Sequence, residues 1–176
     1  MRRLLLVDDE INILQALQRT LRQTFRDEEF VMELHTDPLQ ALQRIDEVGF
    51  DFVIADFHMP QMNGVDFLEQ VRDLQPDAVR LMLSACTDFD TVRKAVNRAE
   101  VFRYISKPWT ATELEEIIRL ALVRRDKVME DRRLADQLRA QRGELTLQEL
   151  EARRLEEEEP GITKVNWGPD GSVLLD

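Results

Sequence analysis

Five polar residues of this sequence have side chains suited to phosphoryl transfer: Asp8, Asp9, Asp56, Ser84 and Lys107. Three carboxylates that lie together repel one another and need a cation. Three oxygen ligands are too few to enclose a metal ion, which favours Mg²⁺, because this ion completes its coordination shell with waters and phosphate oxygens. The ammonium group of a lysine can bind a carboxylate or a phosphoryl oxygen, and a serine hydroxyl can donate a hydrogen bond to another phosphoryl oxygen. The set predicts that Asp56 is a nucleophile that forms an acyl phosphate while metal and lysine neutralise the transferring charge.

The hydrophobic pattern predicts that these residues share one edge of a sheet. Up to about residue 122, short apolar runs typical of buried strands alternate with apolar residues at helical spacing. The predicted strands are residues 4–7, 30–35, 52–55, 81–83 and 101–106, and five helices alternate with them. This alternation predicts an α/β fold with a parallel sheet. Ligands of such sheets bind beyond the carboxyl ends of the strands, where all five residues lie.

Two of the predicted helices begin with strong capping signals. Asp37 is a predicted N-cap with Pro38 as the first helical residue, and Thr110 with Glu113 forms a predicted capping box. The helix between the fourth and fifth strands is predicted over residues 89–98. These signals predict where two of the helices that flank the sheet begin.

The residues around the predicted site resemble bacterial receiver domains of two-component response regulators. Four segments carry the resemblance: Leu5-Leu6-Val7-Asp8-Asp9-Glu10, Asp56-Phe57-His58-Met59-Pro60-Gln61-Met62-Asn63-Gly64, Leu83-Ser84-Ala85 and Tyr104-Ile105-Ser106-Lys107-Pro108. The resemblance covers residues 1–122 and implies a flavodoxin-like, doubly wound sheet of five parallel strands, (βα)5. It also implies a phosphorylation-activated response regulator that accepts a phosphoryl group from a histidine kinase and signals through protein–protein interaction.

The resemblance further implies the ligands of a Mg²⁺ ion. Asp9 and Asp56 would bind the metal directly, and Asp8 would act through a water. His58 would contribute its backbone carbonyl, so its imidazole is interpreted as a residue at the rim of the site. Asp56 would be both a metal ligand and the phosphorylated residue.

The resemblance also implies residues that bind the phosphoryl group and respond to it. Lys107 and Ser84 would bind its oxygens, and the peptide bond between Lys107 and Pro108 is expected to be cis. Ser84 would move towards the phosphorylated Asp56, and Tyr104 would turn into the vacated space. Such a switch is a two-state equilibrium biased by one local charge.

Trp109, directly after Lys107-Pro108, resembles a subgroup of receivers linked to HD-GYP-type cyclic-di-GMP phosphodiesterases. The sequence contains no recognisable output domain of that type and no helix-turn-helix. A transcription factor is therefore disfavoured, and the output is expected to be contact with another protein.

The composition of the 176 residues disfavours other classes of protein. A net charge of −11 disfavours binding to nucleic acid, which needs clustered Lys and Arg. No apolar run approaches the length that spans a bilayer, so no membrane association is expected. A single cysteine, Cys86, cannot form an internal disulfide, and the predicted location is cytoplasmic.

Residues 123–159 are predicted to form a long charged helix, a candidate coiled coil. The apolar positions fall three or four apart, but Asp131, Arg142 and Glu149 interrupt them. Two interpretations stay open: a helix that joins two chains in a homodimer, and a solvated signalling helix laced by charge pairs. Residues 160–176 form a tail interpreted as a β-hairpin or as disordered.

Two other functions are compatible with parts of the sequence. One is a degenerate receiver used as a dimeric scaffold, although the acidic residues and Lys107 are all present. The other is an aspartyl-phosphate phosphohydrolase, which would need an acid two residues after the nucleophile, where this chain has His58. We therefore expect no enzyme beyond the chemistry of phosphorylation and dephosphorylation at Asp56.

Overall fold

The structure, a computed structural model, describes residues 2–25, 30–85 and 97–158. The chain divides into two compact units, residues 1–129 and residues 130–176. Cys86, most of the predicted helix 89–98 and the predicted hairpin 160–176 lie outside the described residues; residues 97–99 are helical.

The first unit is built on a sheet of five parallel strands, β1 (Arg2–Val7), β2 (Phe30–His35), β3 (Phe52–Asp56), β4 (Val79–Ser84) and β5 (Arg103–Ser106). Their order across the sheet is β2-β1-β3-β4-β5, and every neighbouring pair is parallel. This order belongs to the flavodoxin-like group of doubly wound folds. The predicted fold class is therefore confirmed.

Five helices are described: α1 (Ile11–Thr24), α2 (Pro38–Glu47), α3 (Gly64–Leu74), α4 (Ala111–Gln141) and α5 (Leu147–Glu158). Alternate residues of the strands face two separate apolar clusters. On β1, Leu5 and Val7 pack with residues of α2 and α3, whereas Leu4 and Leu6 pack with residues of α1 and α4. Alternation along a strand sends successive side chains to opposite faces, so the sheet is buried on both sides.

The predicted N-caps Asp37 and Thr110 are confirmed, whereas the predicted capping box of Thr110 with Glu113 is only half formed. The carboxylate of Asp37 accepts a hydrogen bond from Leu39 N at 2.8 Å, and Pro38 is the first residue of α2. The hydroxyl of Thr110 accepts from Glu113 N at 3.2 Å, whereas the Glu113 carboxylate accepts from Ser106 Oγ. No helix in the described part of the chain combines the length and the hydrophobicity needed to cross a bilayer.

The charged region after residue 122 contains two helices where the sequence predicted one. α4 ends at Gln141 and α5 begins at Leu147. Between them, Gly143 has a φ of +72°, a left-handed conformation that commonly ends a helix. Thr146 then starts α5: its hydroxyl accepts from Glu149 N, and its own N–H donates to the Glu149 carboxylate at 2.8 Å. This reciprocal capping box, together with the glycine, explains the break.

A buried arginine joins β4 to the chain segment that leads into β5. Arg80 donates from Nε to Ala99 O at 2.9 Å and from Nη1 to Ala78 O at 2.8 Å. Its Nη2 lies 3.6 Å from a carboxylate oxygen of Glu100. Burial lowers the pKa of Arg80, and the Glu100 charge opposes that effect. The guanidinium therefore donates hydrogen bonds to carbonyl groups near the amino-terminal end of β4, away from the carboxyl ends of the strands.

Replacement of Arg80 by methionine should leave those buried carbonyl groups without donors. We expect the free energy of unfolding to fall by about 3 kcal/mol, because each unsatisfied buried polar group is costly. Urea unfolding followed by circular dichroism measures this change. Arg119→Met is the control, since Arg119 is exposed, pairs with Glu115 within α4 and lies 5.3 Å from the centroid of the Phe25 ring; the same measurement should change by less than about 1 kcal/mol. Equal effects of the two substitutions would contradict a structural role for Arg80.

Candidate phosphoryl-transfer site

Three carboxylates meet at the carboxyl ends of β1 and β3. Asp8, Asp9 and Asp56 each offer an oxygen that lies within 4.8 Å of the others. The two strands are neighbours with Val7 opposite Ala55, so Asp8, which follows β1, lies beside Asp56, the last residue of β3. Asp8 and Asp56 are buried, and Asp9 is exposed. The strand pairing therefore brings together residues that lie about 50 positions apart in the sequence.

Lys107 bridges two of these carboxylates. Its Nζ lies 2.6 Å from Asp56 Oδ1 and 2.7 Å from Asp8 Oδ2. Lys107 directly follows β5, and its N–H donates to Ser84 O at 2.9 Å, which ties the end of β5 to the end of β4. The peptide bond between Lys107 and Pro108 is cis. One ammonium group thus contacts acids at the carboxyl ends of two other strands, β1 and β3.

Backbone N–H groups hold the second oxygen of each buried carboxylate. Asp8 Oδ1 accepts from Glu10 N at 2.9 Å, and Asp56 Oδ2 accepts from His58 N at 2.8 Å. Hydrogen bonds to ionised carboxylates are stronger than those between neutral groups. Each carboxylate is therefore held at both oxygens: Lys107 contacts one oxygen, and the backbone N–H two residues later donates a hydrogen bond to the other.

Charge at the site is unbalanced. Burial raises the pKa of the Asp8 carboxyl, although hydrogen bonds from Lys107 and Glu10 act in the opposite direction. Burial also acts to lower the pKa of Lys107, but hydrogen bonds and charges of Asp56 and Asp8 outweigh it and raise the pKa, so the lysine stays protonated. With the three acids ionised, one lysine leaves two negative charges. A divalent cation would balance them, and hard carboxylate oxygens are ligands that Mg²⁺ prefers.

The hydroxyl and the tyrosine of the predicted switch differ in their surroundings. Ser84 ends β4 and is buried, next to Leu83, which pairs with Asp56 across the sheet. It therefore lies at the same edge as the carboxylates. Tyr104 lies in β5 opposite Met82, and its side chain is about half exposed, at 47%.

His58 follows Asp56 by two residues and contacts its carboxylate through the backbone. Its imidazole packs edge-on against the ring of Phe57, with ring centroids 4.6 Å apart. The ring is thus placed by an aromatic contact, while the N–H orients the acid.

Sequence reasoning missed how closely Gly64 approaches Asp56. A Cβ at Gly64 would lie 2.1 Å from the carbonyl oxygen of Asp56, a distance that no side chain can occupy. Gly64 N donates to Phe57 O at 2.9 Å, and Phe57 N donates to Leu83 O at 2.9 Å. Asn63 caps α3, which begins at Gly64. The start of α3 therefore packs directly on the backbone of the acidic residue, which only a missing side chain permits.

Comparison with known proteins agrees with this geometry. Residues 4–119 match the family of the response regulator receiver domain. The hydrogenase transcriptional regulatory protein HoxA of Cupriavidus necator is 36% identical over 118 residues, which cover 67% of this chain and 23% of that protein. The chain therefore spans about a quarter of the length of the first curated relatives it matches.

Solved structures show the same likeness. The signal receiver domain of an HD domain-containing protein from Pseudomonas fluorescens is 33% identical, with a TM-score of 0.66, over 73% of this chain and 92% of that one. A structure described as adenylate cyclase from Rhodopirellula baltica is 29% identical, with a TM-score of 0.69, over 77% and 97%.

Receiver domains are signalling proteins that accept phosphoryl groups from histidine kinases and generally bind Mg²⁺ in an acidic pocket. The sheet order, the acidic strand ends and the match over residues 4–119 coincide in this chain. The chain belongs to the response regulator receiver domain family.

Proposed function

We propose that this protein is a response regulator that accepts a phosphoryl group on Asp56 from a partner histidine kinase. The observation that carries the proposal is the buried Asp56 carboxylate held 2.6 Å from Lys107 Nζ beside two further acids. An Asp56 oxygen forms a bond to phosphorus while the bond from phosphorus to the histidine nitrogen of the donor breaks. The product is an acyl phosphate on the protein and a free histidine on the kinase.

The residues that would hold Mg²⁺ are Asp9 and Asp56 directly, His58 through its backbone carbonyl and Asp8 through a water. The excess of two negative charges supports a divalent ion at this place. When bound, Mg²⁺ neutralises negative charge on the carboxylates and on the phosphoryl oxygens. Asp8 also holds Lys107 in place through the 2.7 Å ion pair.

Lys107 and Ser84 would bind the phosphoryl group once it is on Asp56. The ammonium of Lys107 is already in contact with Asp56 Oδ1, so a new phosphoryl oxygen there competes with Asp8 for the same charge. Ser84 would donate its hydroxyl to another oxygen, and Tyr104 would turn inward from its exposed position. The surface around β5 and α4 would change as a result.

The output of the switch would be protein–protein interaction, in the cytoplasm, by a chain that acts as a homodimer through its C-terminal helices. The printed names of similar proteins include a transcriptional regulator and an HD domain-containing protein. Receivers similar to this one therefore occur in proteins with different outputs. A dimeric receiver that serves only as a scaffold would share the fold, but it would not take up a phosphoryl group.

Removal of the metal tests the proposed chemistry. Incubation with acetyl phosphate and Mg²⁺ should add one phosphoryl group to the protein, visible in the intact mass. EDTA should reduce the initial rate by at least about 100-fold, because charge at the transferring group is then left without its counter-ion. Restoring excess Mg²⁺ should recover the rate. A rate unchanged by EDTA would contradict the metal site, and no modification in either condition would contradict the proposed function.

A further inference from the structure

The carboxylate of Glu113 contacts the end of a strand. Glu113 is the third residue of α4, and its N–H donates to the Thr110 hydroxyl at 3.2 Å, as the helix cap requires. In a complete capping box the carboxylate at this position accepts a hydrogen bond from the N–H of the cap residue. Here it accepts from Ser106 Oγ at 3.1 Å. The first turn of α4 is therefore bonded to the last residue of β5.

The strand that Lys107 follows is held by few buried side chains. β5 is the last strand in the sheet order, with β4 as its neighbour, and it is four residues long. Ile105 is buried and Ser106 is partly buried, whereas Arg103 and Tyr104 are exposed. By contrast, every residue of β3 and of β4 is buried. Polar contacts therefore contribute more to the position of β5 than to that of the central strands.

Hydrogen bonds on two sides hold the end of β5. Lys107 N donates to Ser84 O at 2.9 Å, which joins the strand end to β4. The Ser106 hydroxyl donates to the Glu113 carboxylate, which joins the strand end to α4. This part of α4 is itself well packed, since the next residue, Leu114, is fully buried. The second hydrogen bond thus ties an edge strand to a packed helix.

The ammonium of Lys107 changes partner in the proposed reaction. It lies 2.6 Å from Asp56 Oδ1 and 2.7 Å from Asp8 Oδ2, and a phosphoryl oxygen on Asp56 would compete with Asp8 for it. While that exchange takes place, the backbone of β5 must keep the ammonium within reach of the transferring group. An error of about 1 Å in the placement of such a group can cost about 100-fold in rate.

We propose that Glu113 is a positioning residue for phosphoryl transfer. Through its hydrogen bond with Ser106 it holds the end of β5 at the place from which Lys107 reaches both Asp56 and Asp8. Glu113 acts through Ser106 and the backbone, and it does not touch the phosphoryl group. This inference rests on the proposed function, since it concerns the rate at which Asp56 takes up the phosphoryl group.

The test measures the initial rate of modification by acetyl phosphate and Mg²⁺ in the full chain. Ser106→Ala and Glu113→Ala should each slow the reaction at least about 5-fold, because the charge of Lys107 is then misplaced. The two residues act through one hydrogen bond, so the double variant should be within about 2-fold of the slower single variant. Ser106→Thr keeps the hydroxyl and should restore the rate to within about 2-fold of wild type. Glu116→Ala is the matched control, since Glu116 is exposed on the same helix; its rate should equal that of wild type.

The affinity for Mg²⁺ separates a misplaced lysine from a damaged acidic pocket. Calorimetric titration with Mg²⁺ alone should give Ser106→Ala and Glu113→Ala dissociation constants within about 2-fold of wild type, because the three carboxylates are unchanged. A loss of Mg²⁺ affinity that parallels the loss of rate would overturn the proposal, because the substitutions would then have distorted the whole site.

The kinetic results can also contradict the inference. Single variants that react like wild type, or effects that multiply in the double variant, would show that Ser106 and Glu113 do not act together on Lys107. If wild type itself gains no phosphoryl group, the proposed function fails and this inference fails with it. Failure of the inference alone leaves wild type and Glu116→Ala fully modified.

Discussion

Asp56→Asn should abolish uptake of the phosphoryl group. An amide cannot form the acyl phosphate, and its oxygen is a poor nucleophile compared with a carboxylate. The side chain has the same shape, so its oxygen can still accept from His58 N, but the ion pair with Lys107 Nζ at 2.6 Å is lost. Intact mass after incubation with acetyl phosphate and Mg²⁺ should show no added phosphoryl group, against one per chain in wild type.

The control for Asp56→Asn is Asp73→Asn. Asp73 lies near the far end of α3, is exposed and pairs with its neighbour Arg72. It should be modified at the wild-type rate. Hydroxylamine, which cleaves acyl phosphates, should remove the added group from both wild type and the control. A phosphoryl group that persists on Asp56→Asn would show that another residue is the acceptor.

The fold could be predicted from the sequence because its strands are buried on both faces. Continuous apolar runs such as residues 4–7 and 52–55 indicate parallel strands, and parallel strands place their carboxyl ends at one edge. Once the order of the strands is known, the proximity of Asp8, Asp56 and Lys107 follows. Charged residues at the carboxyl ends of such strands therefore indicate a shared site from the sequence alone.

Features that depend on packing could not be predicted in the same way. Arg80 interrupts an apolar strand, and a sequence does not reveal that its guanidinium lies among backbone carbonyl groups. The break at Gly143 was missed because strongly charged residues on both sides favour helix, which obscured one glycine and the Thr146 cap. The burial of Asp136 depends on Arg153, which lies 17 residues away across that break.

Gly64→Ala should damage the candidate site without changing any chemical group in it. The added methyl would lie 2.1 Å from Asp56 O, 2.9 Å from Asp56 C and 3.0 Å from Phe57 Cα. All three atoms belong to the backbone, so α3 or the end of β3 must move. We expect the free energy of unfolding to fall by about 3 kcal/mol, at the upper end for overpacking. Urea unfolding measures this loss.

The same displacement should slow phosphorylation of the folded protein. A shift of about 1 Å in a reacting group can cost about 100-fold in rate, because alignment with the phosphoryl donor is lost. The initial rate with acetyl phosphate, measured at a temperature where the variant is folded, should therefore fall by at least about 10-fold.

Gly143→Ala separates the effect of close packing from the general cost of replacing a glycine. Gly143 has a φ of +72°, but nothing lies within 4 Å of the position that a Cβ would take. The substitution should cost about 1 kcal/mol through backbone strain and leave the phosphorylation rate unchanged. If Gly64→Ala behaved like Gly143→Ala in both measurements, the contact with Asp56 would not position the acceptor. If only Gly64→Ala slows phosphorylation, Asp56 is positioned by the start of α3 that packs on its backbone as well as by the ion pair with Lys107.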